Sequence, residues 1–228
     1  MIKKNSLNVL CLMLMLLIVQ GCAKNEEVAV VNQSPEAPAP VAKVNRGAKT
    51  QSDPTGPFKP FSIYTDSSAP DNHFAPSGWM GDYGDIQLDD KCLTNPHSGT
   101  TSIKIVYTGQ ASQGARWSGV YWQNPPNNWG TRPGGYDLTG AKKLTFWAKG
   151  DKGGERIEEF KVGGITGEYA DSDVAGIGPV VLTTEWQEFT IDLEGKDLSS
   201  VSGGFCWATN LDVNPQGCTF YLDDVRYE

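Results

Sequence analysis

From residue 58 onward, short runs of alternating apolar and polar residues are separated by clusters of Gly, Pro, Asn and Asp. That is the pattern of strands joined by turns. It predicts strands near 61–64, 85–89, 101–107, 116–123, 143–149, 157–163, 179–182, 186–193, 202–209 and 218–227. No stretch carries a helical period with caps, and no repeat is visible. Ten short strands of this kind predict an all-β fold, a β-sandwich of jelly-roll type.

The alternation also assigns faces. Leu144, Phe146 and Ala148 share one side of their run, and Thr145 and Trp147 the other. Phe160 and Val162 oppose Glu159 and Lys161. Phe189, Ile191 and Leu193 oppose Glu188, Thr190 and Asp192. One side of each enters the core; the other meets water or a ligand. In the last run, Phe220 and Leu222 keep one phase, and Val225 and Tyr227 the other. A bulge at Asp223-Asp224 would return all four to the core.

Before residue 58 the pattern is different. Lys3 and Lys4 precede an apolar run at 9–19. A helix of eleven residues reaches only ~17 Å, short of a ~30 Å bilayer core, so the run reads as the core of a signal peptide over residues 1–21. It ends in Val19-Gln20-Gly21-Cys22, which resembles the bacterial lipoprotein box. The resemblance implies cleavage after Gly21 and lipid, palmitate included, on Cys22. Ala23, rather than Asp, at the second mature position implies sorting to the outer membrane of the cell envelope. Residues 22–57 then form a Pro- and Ala-rich linker with too little apolar surface to offset its ordering entropy. A coil of that length spans ~35 Å. The domains are thus expected to be signal peptide 1–21, lipidated linker 22–57 and β-sandwich 58–228.

Charge narrows the functions. Loss of residues 1–21 removes two lysines and no acid, so the formal charge moves from −8 to −10. Nucleic acid is excluded as a partner on that charge, and so is docking on anionic lipid through a basic patch. The membrane would be held through the N-terminal lipid alone. The 26 Gly, 14 Pro and 7 Trp suit a β-rich domain with many turns. An exported chain can form disulfides. Cys206 and Cys218 stand at what read as facing ends of adjacent strands and are the expected pair, which leaves Cys92 buried and free. No Cys-x-x-Cys occurs, and His73 and His97 are the only histidines, which argues against zinc.

Several runs share a family pattern. Phe220-Tyr221-Leu222-Asp223-Asp224-Val225 resembles the closing strand of the galactose-binding-like jelly rolls of bacterial carbohydrate-binding modules. His97-Ser98-Gly99-Thr100-Thr101-Ser102-Ile103-Lys104-Ile105 is similar to their early strand, Leu144-Thr145-Phe146-Trp147-Ala148 to a central one, and Trp186-Gln187-Glu188-Phe189-Thr190-Ile191-Asp192-Leu193 to a late one. The resemblance covers residues 58–228 and implies a polysaccharide or glycan ligand. It also implies a structural Ca²⁺ held by the closing-strand Asp223 and by Asp66, which follows the first strand. Calcium takes six to eight oxygens, so these two supply part of a shell. Asp171-Ser172-Asp173 reads as a solvated acidic loop.

Sugars present apolar C–H faces ringed by hydroxyls, and call for flat aromatics beside polar partners. Trp147 with Glu159 and Lys161 meets that need. Tyr121 and Gln123 join them if Val120 and Trp122 are core, and Trp207 if Cys206 and Ala208 point inward. Trp129 and Trp79 would supply loop walls. The same Trp residues could instead be core or edge packing. Catalytic motifs are lacking: no Gly-x-Ser-x-Gly, His-Glu-x-x-His or phosphate loop occurs. An enzyme would have to rely on carboxylates such as Glu159 with Glu188 or Asp192. A non-catalytic carbohydrate-binding lipoprotein is therefore the leading expectation. The alternative is a structural or assembly lipoprotein whose sandwich binds an envelope protein partner across a broad apolar patch.

Overall fold

A computed structural model describes residues 49–50, as backbone, and 56–228. The signal peptide and Cys22 lie outside the described residues. Fifteen strands follow in chain order among the described residues: β1 (Lys49–Thr50), β2 (Phe61–Tyr64), β3 (Ala75–Gly81), β4 (Ile86–Cys92), β5 (Ser102–Tyr107), β6 (Trp117–Gln123), β7 (Tyr136–Asp137), β8 (Lys143–Gly150), β9 (Arg156–Ile157), β10 (Glu159–Gly163), β11 (Val174–Ile177), β12 (Val180–Val181), β13 (Gln187–Asp192), β14 (Gly203–Asn210) and β15 (Cys218–Tyr227). Two antiparallel sheets form a jelly-roll sandwich. One runs β11-β10-β14-β6-β3. The other runs β13-β8-β15-β5-β4, with β2 also on β15. The strands read from alternation are present. The two-residue β7 was not foreseen, nor were β3 and β11, because Pro76, Gly78 and Gly176 imitate turn signals. The latter two are edge strands, where such residues are tolerated. Lys49–Thr50, within the expected linker, pair in parallel with β7.

The core joins the facing sides of the two sheets. Leu144, Phe146, Ala148, Phe220, Leu222, Val225 and Tyr227 from one sheet meet Val120, Trp122, Phe160, Val162, Phe205 and Trp207 from the other, all buried. The Phe146 ring lies 4.7 Å from Phe160, and Trp207 stands edge-on to Phe220 at 5.1 Å. Such pairs add about 0.5–1.5 kcal/mol each beyond the area they bury. The Tyr227 hydroxyl crosses between the sheets and donates to the Gly204 carbonyl at 2.6 Å. The bulge is where the alternation placed it: pairing of β15 with β8 shifts between Asp223 and Arg226. There the other neighbour of β15 changes from β5 to β2.

Two expectations are corrected. Trp207 is wholly buried in the main core and cannot meet a ligand on the outer face. Its neighbours Cys206 and Ala208 hold the outer phase instead. No Cys206–Cys218 disulfide exists: Cys92, Cys206 and Cys218 are all free thiols. β14 and β15 belong to opposite sheets. Cys206 also faces outward under Tyr121, whereas Cys218 packs against the core.

Candidate functional site

The outer face of the five-stranded sheet has a floor of small residues. Pairing aligns one row as Gly78, Tyr121, Cys206, Lys161 and Gly176, and the next as Met80, Gly119, Ala208 and Glu159. Larger side chains at the glycines would not fit: a Cβ on Gly119 would come within 2.6 Å of the Trp207 carbonyl and 3.0 Å of Met80 Cε. The Gln123 and Tyr121 side chains close over Gly78, and Met80 over Gly119, so the face is smooth rather than hollow.

Aromatics stand around this floor. Along β6 the outer phase is Trp117, Gly119, Tyr121, Gln123, since Val120 and Trp122 are core. Trp117 is 40% exposed and Trp129, from the loop after β6, is 41% exposed. Trp129 stands edge-on to Tyr121 at 5.9 Å. Trp117 and Tyr121 are four strand residues apart, or ~13 Å. The Tyr121 hydroxyl donates to the Gly163 carbonyl at 3.0 Å. Burial pushes this phenol far above its ordinary pKa, with the underlying Cys206 thiol adding to the effect, so it stays neutral. Lys161 Nζ sits 5.5 Å over the Tyr121 ring and 2.9 Å from Glu159 Oε2. The site thus offers two half-exposed indoles, a lysine and a carboxylate on one face.

Trp117 was not singled out in the sequence. Its signal was the alternation with Tyr121, obscured because Trp122 suggested the opposite phase with equal force. Gln123 does not reach the groove. It is completely buried; its Nε2 donates to the Asn128 carbonyl at 3.1 Å, and its Oε1 accepts from the Ser77 hydroxyl at 3.0 Å. It fixes the residue before Trp129, and so positions the loop rather than a ligand. The backbone N–H of Tyr169 donates to Gly130 O on the other side of Trp129. Trp79 pairs with Val120 and so takes the inward phase at the sandwich margin, 39% exposed, outside the groove.

The expected grouping of Trp147 with Glu159 and Lys161 is divided by the fold. Trp147 lies on the outer face of the six-stranded sheet, because β8 belongs there. Its ring stacks on His97 at 3.7 Å, and Trp186 stands edge-on to His97 at 6.0 Å. His97 Nδ1 is 2.7 Å from Asp224 Oδ2. Trp147 thereby clamps the loop ahead of β5. Glu188 pairs with Trp147 on this same side. Glu159 and Glu188 therefore face opposite sides of the molecule and cannot flank one glycosidic bond, and Asp192, in phase with Glu188, is separated in the same way.

The two candidate calcium ligands bracket that loop. Asp66 accepts from the Thr100 N–H and hydroxyl, from the Ser67 N–H and from the Thr101 hydroxyl. These donors hold its carboxyl down to about 2, the Thr101 hydroxyl first. Asp223 accepts N–H bonds from His97, Ser98 and Asp224. Burial nevertheless pushes its carboxyl up to about 6. Among the described residues no three His, Cys, Asp or Glu side chains gather as a metal cluster, so a calcium shell here would need hydroxyl, carbonyl and water oxygens as well. Asp171 is not solvated as expected. It takes N–H bonds from Ile165, Ser202 and Gly203, and ties the loop after β10 to the start of β14.

No family model matches the chain, and no curated protein matches it. Among solved structures, a family 30 carbohydrate-binding module is similar at 17% identity, covering 74% of this chain and 87% of that one, with a TM-score of 0.47. The family 30 module of a cellulosomal cellulase of Clostridium thermocellum shares 19% identity over 75% of this chain and 97% of its own, with a TM-score of 0.48. A family 11 module from the same organism, in complex with a β-1,3-1,4-mixed-linked tetrasaccharide, shares 11% identity over 66% of this chain and 84% of its own, with a TM-score of 0.43.

Proposed function

We propose that this protein is a non-catalytic carbohydrate-binding lipoprotein of the bacterial envelope, with the outer face of the five-stranded sheet as its glycan groove. One observation carries the reading. Two half-exposed indoles, Trp117 and Trp129, share the outer face of this sheet with the Lys161–Glu159 ion pair. Indole faces suit the C–H faces of pyranose rings, and an ammonium beside a carboxylate serves hydroxyls as donor and acceptor. Affinity electrophoresis of the full chain in gels loaded with soluble β-glucans or other polysaccharides tests it. Retardation by at least one glycan is expected, with W129A and W117A each weakening binding by about tenfold or more, ~1.4 kcal/mol. Absence of retardation on every glycan, or retardation unchanged in both variants, rejects the reading.

The lipid on Cys22 belongs to the same proposal, and incorporation of labelled palmitate that is lost in C22A tests it. Calcium at Asp66 and Asp223 does too. A ligand that binds only the folded state raises the melting temperature in excess, so equal melting in calcium and in chelator removes the ion from the account. The protein-partner reading calls for a contiguous apolar patch. The exposed large apolar residues outside the groove, among them Tyr83, Leu93 and Val181, sit on separate elements.

A further inference from the structure

Tyr121 comes from β6 and Trp129 from the loop after it, yet both are held by a third piece of chain. The segment between β10 and β11, residues 164–173, reaches each of them. Just before it begins, the Gly163 carbonyl accepts the Tyr121 hydroxyl at 3.0 Å. Ile165 then packs with Tyr121 and Cys206 in a cluster separate from the main core. Further on, the segment crosses the loop that carries Trp129. The Tyr169 N–H donates to Gly130 O at 2.9 Å. At the crossing, backbone meets backbone: a Cβ on Gly130 would lie 2.0 Å from Thr166 O, and one on Gly167 2.7 Å from Gly130 O. Both residues also have positive φ, +75° and +122°, so both positions need glycine.

Asp171 closes the segment on itself. Its N–H donates to the Ile165 carbonyl at 2.8 Å, and its Oδ2 accepts the Ile165 N–H at 2.9 Å. Its Oδ1 accepts the N–H groups of Ser202 and Gly203. One carboxylate thus shuts the neck of the segment and fastens it to β14, the neighbour of β6 in the sheet. The charge strengthens each of these bonds. The parts converge over Gly203, where a Cβ would lie 3.0 Å from Tyr121 Cε1 and 3.1 Å from both Asp171 Oδ2 and Ile165 Cδ1.

A half-exposed ring on a loop binds best when it is already fixed, since ordering it on binding costs affinity. Resting on the groove reading above, we propose that segment 164–173 is the positioning device of the glycan-binding face. Asp171, which closes it, is a positioning residue that acts through Tyr121 and Trp129.

Fluorine NMR of the full chain labelled with 5-fluorotryptophan reads the indoles without any ligand. W129F and W117F each remove one resonance and so assign it. G167A wedges the crossing apart at an exposed position, and D171N turns one acceptor oxygen into a donor. Each should shift or broaden the Trp129 resonance and leave that of Trp117 in place. In affinity electrophoresis with hydroxyethylcellulose as a soluble β-glucan, each should weaken retardation about threefold or more. G167A should add nothing once W129A is present. A Trp129 resonance unmoved in both variants overturns the proposal. So does an equal change at Trp117, which marks general loosening, and so does a full G167A effect in the W129A background. If D171N fails to fold, G167A decides: an unmoved Trp129 resonance there overturns it. A parent that hydroxyethylcellulose does not retard counts against the groove and not against the positioning, which the fluorine spectrum decides by itself.

Discussion

Asp82 shows how a buried carboxylate can be an asset. It is fully enclosed, and its oxygens accept the N–H groups of Gln113, Ala115 and Arg116 at 2.8, 2.8 and 2.6 Å. Burial raises its pKa, but these bonds together outweigh burial and hold the carboxyl below its ordinary value. A folded pKa below the unfolded one means that the stabilisation is present above the unfolded value and is lost as pH falls through the folded one. D82N should therefore melt several degrees below the parent at neutral pH, with the gap closing below about pH 4; a constant gap across a melting series from neutral to acid would refute this. Gln123 gives a second prediction at this scale. Q123A should weaken glycan binding although the residue is buried, because the loop bearing Trp129 loses its Asn128 anchor. Its effect should be absent when W129A is already in place, which a double-mutant cycle measures.

The closing strand concentrates the logic of the elements. Phe220 and Leu222 on one side of the bulge, and Val225 and Tyr227 on the other, all reach the core. Asp224 takes up the extra residue at a positive φ of 47°. Its carboxylate then meets His97 and the Ser98 hydroxyl. Inserting one further residue after Asp224 would turn Val225 and Tyr227 outward. Burial of each contributes about 1.5–3 kcal/mol, a large share of the about 5–15 kcal/mol that holds a domain folded. Loss of a cooperative urea transition is the expected outcome, and a parent-like midpoint would show that the strand can slip without cost. Here the alternation foretold the structure, because one side of the strand is apolar and its phase slip had a single structural remedy. In β14 the same reasoning failed. Phe205 and Trp207 compete with Cys206 and Ala208 for the inward phase, and both sets are apolar or small. The larger pair fills the core, Cys206 packs with Tyr121 on the outer side, and Ala208 shares its phase.

At the scale of the molecule, assignment of strands to sheets decides what can act together. β8 and β10 are both amphipathic and close in sequence, yet they lie in opposite sheets. Trp147 is thereby separated from Lys161, and the groove gains Trp117 in its place. The same partition separates Cys206 from Cys218. Melting with and without reductant should coincide, and alkylation of the denatured chain without reductant should label Cys92, Cys206 and Cys218. A reductant-dependent melting temperature would contradict the free thiols.

The sequence by itself determined the all-β class, most of the strands, the core side of β8, β10 and β15, and the bulge. Each of these depends on side chains within one strand, whose two-residue period is set by local geometry. The tertiary structure alone decided which outward faces share a surface, which cysteines can meet, and whether Gln123 and Trp207 are exposed. Those depend on pairing between strands distant in the chain, where a one-position change of register or a change of sheet moves a side chain to the other side of the molecule.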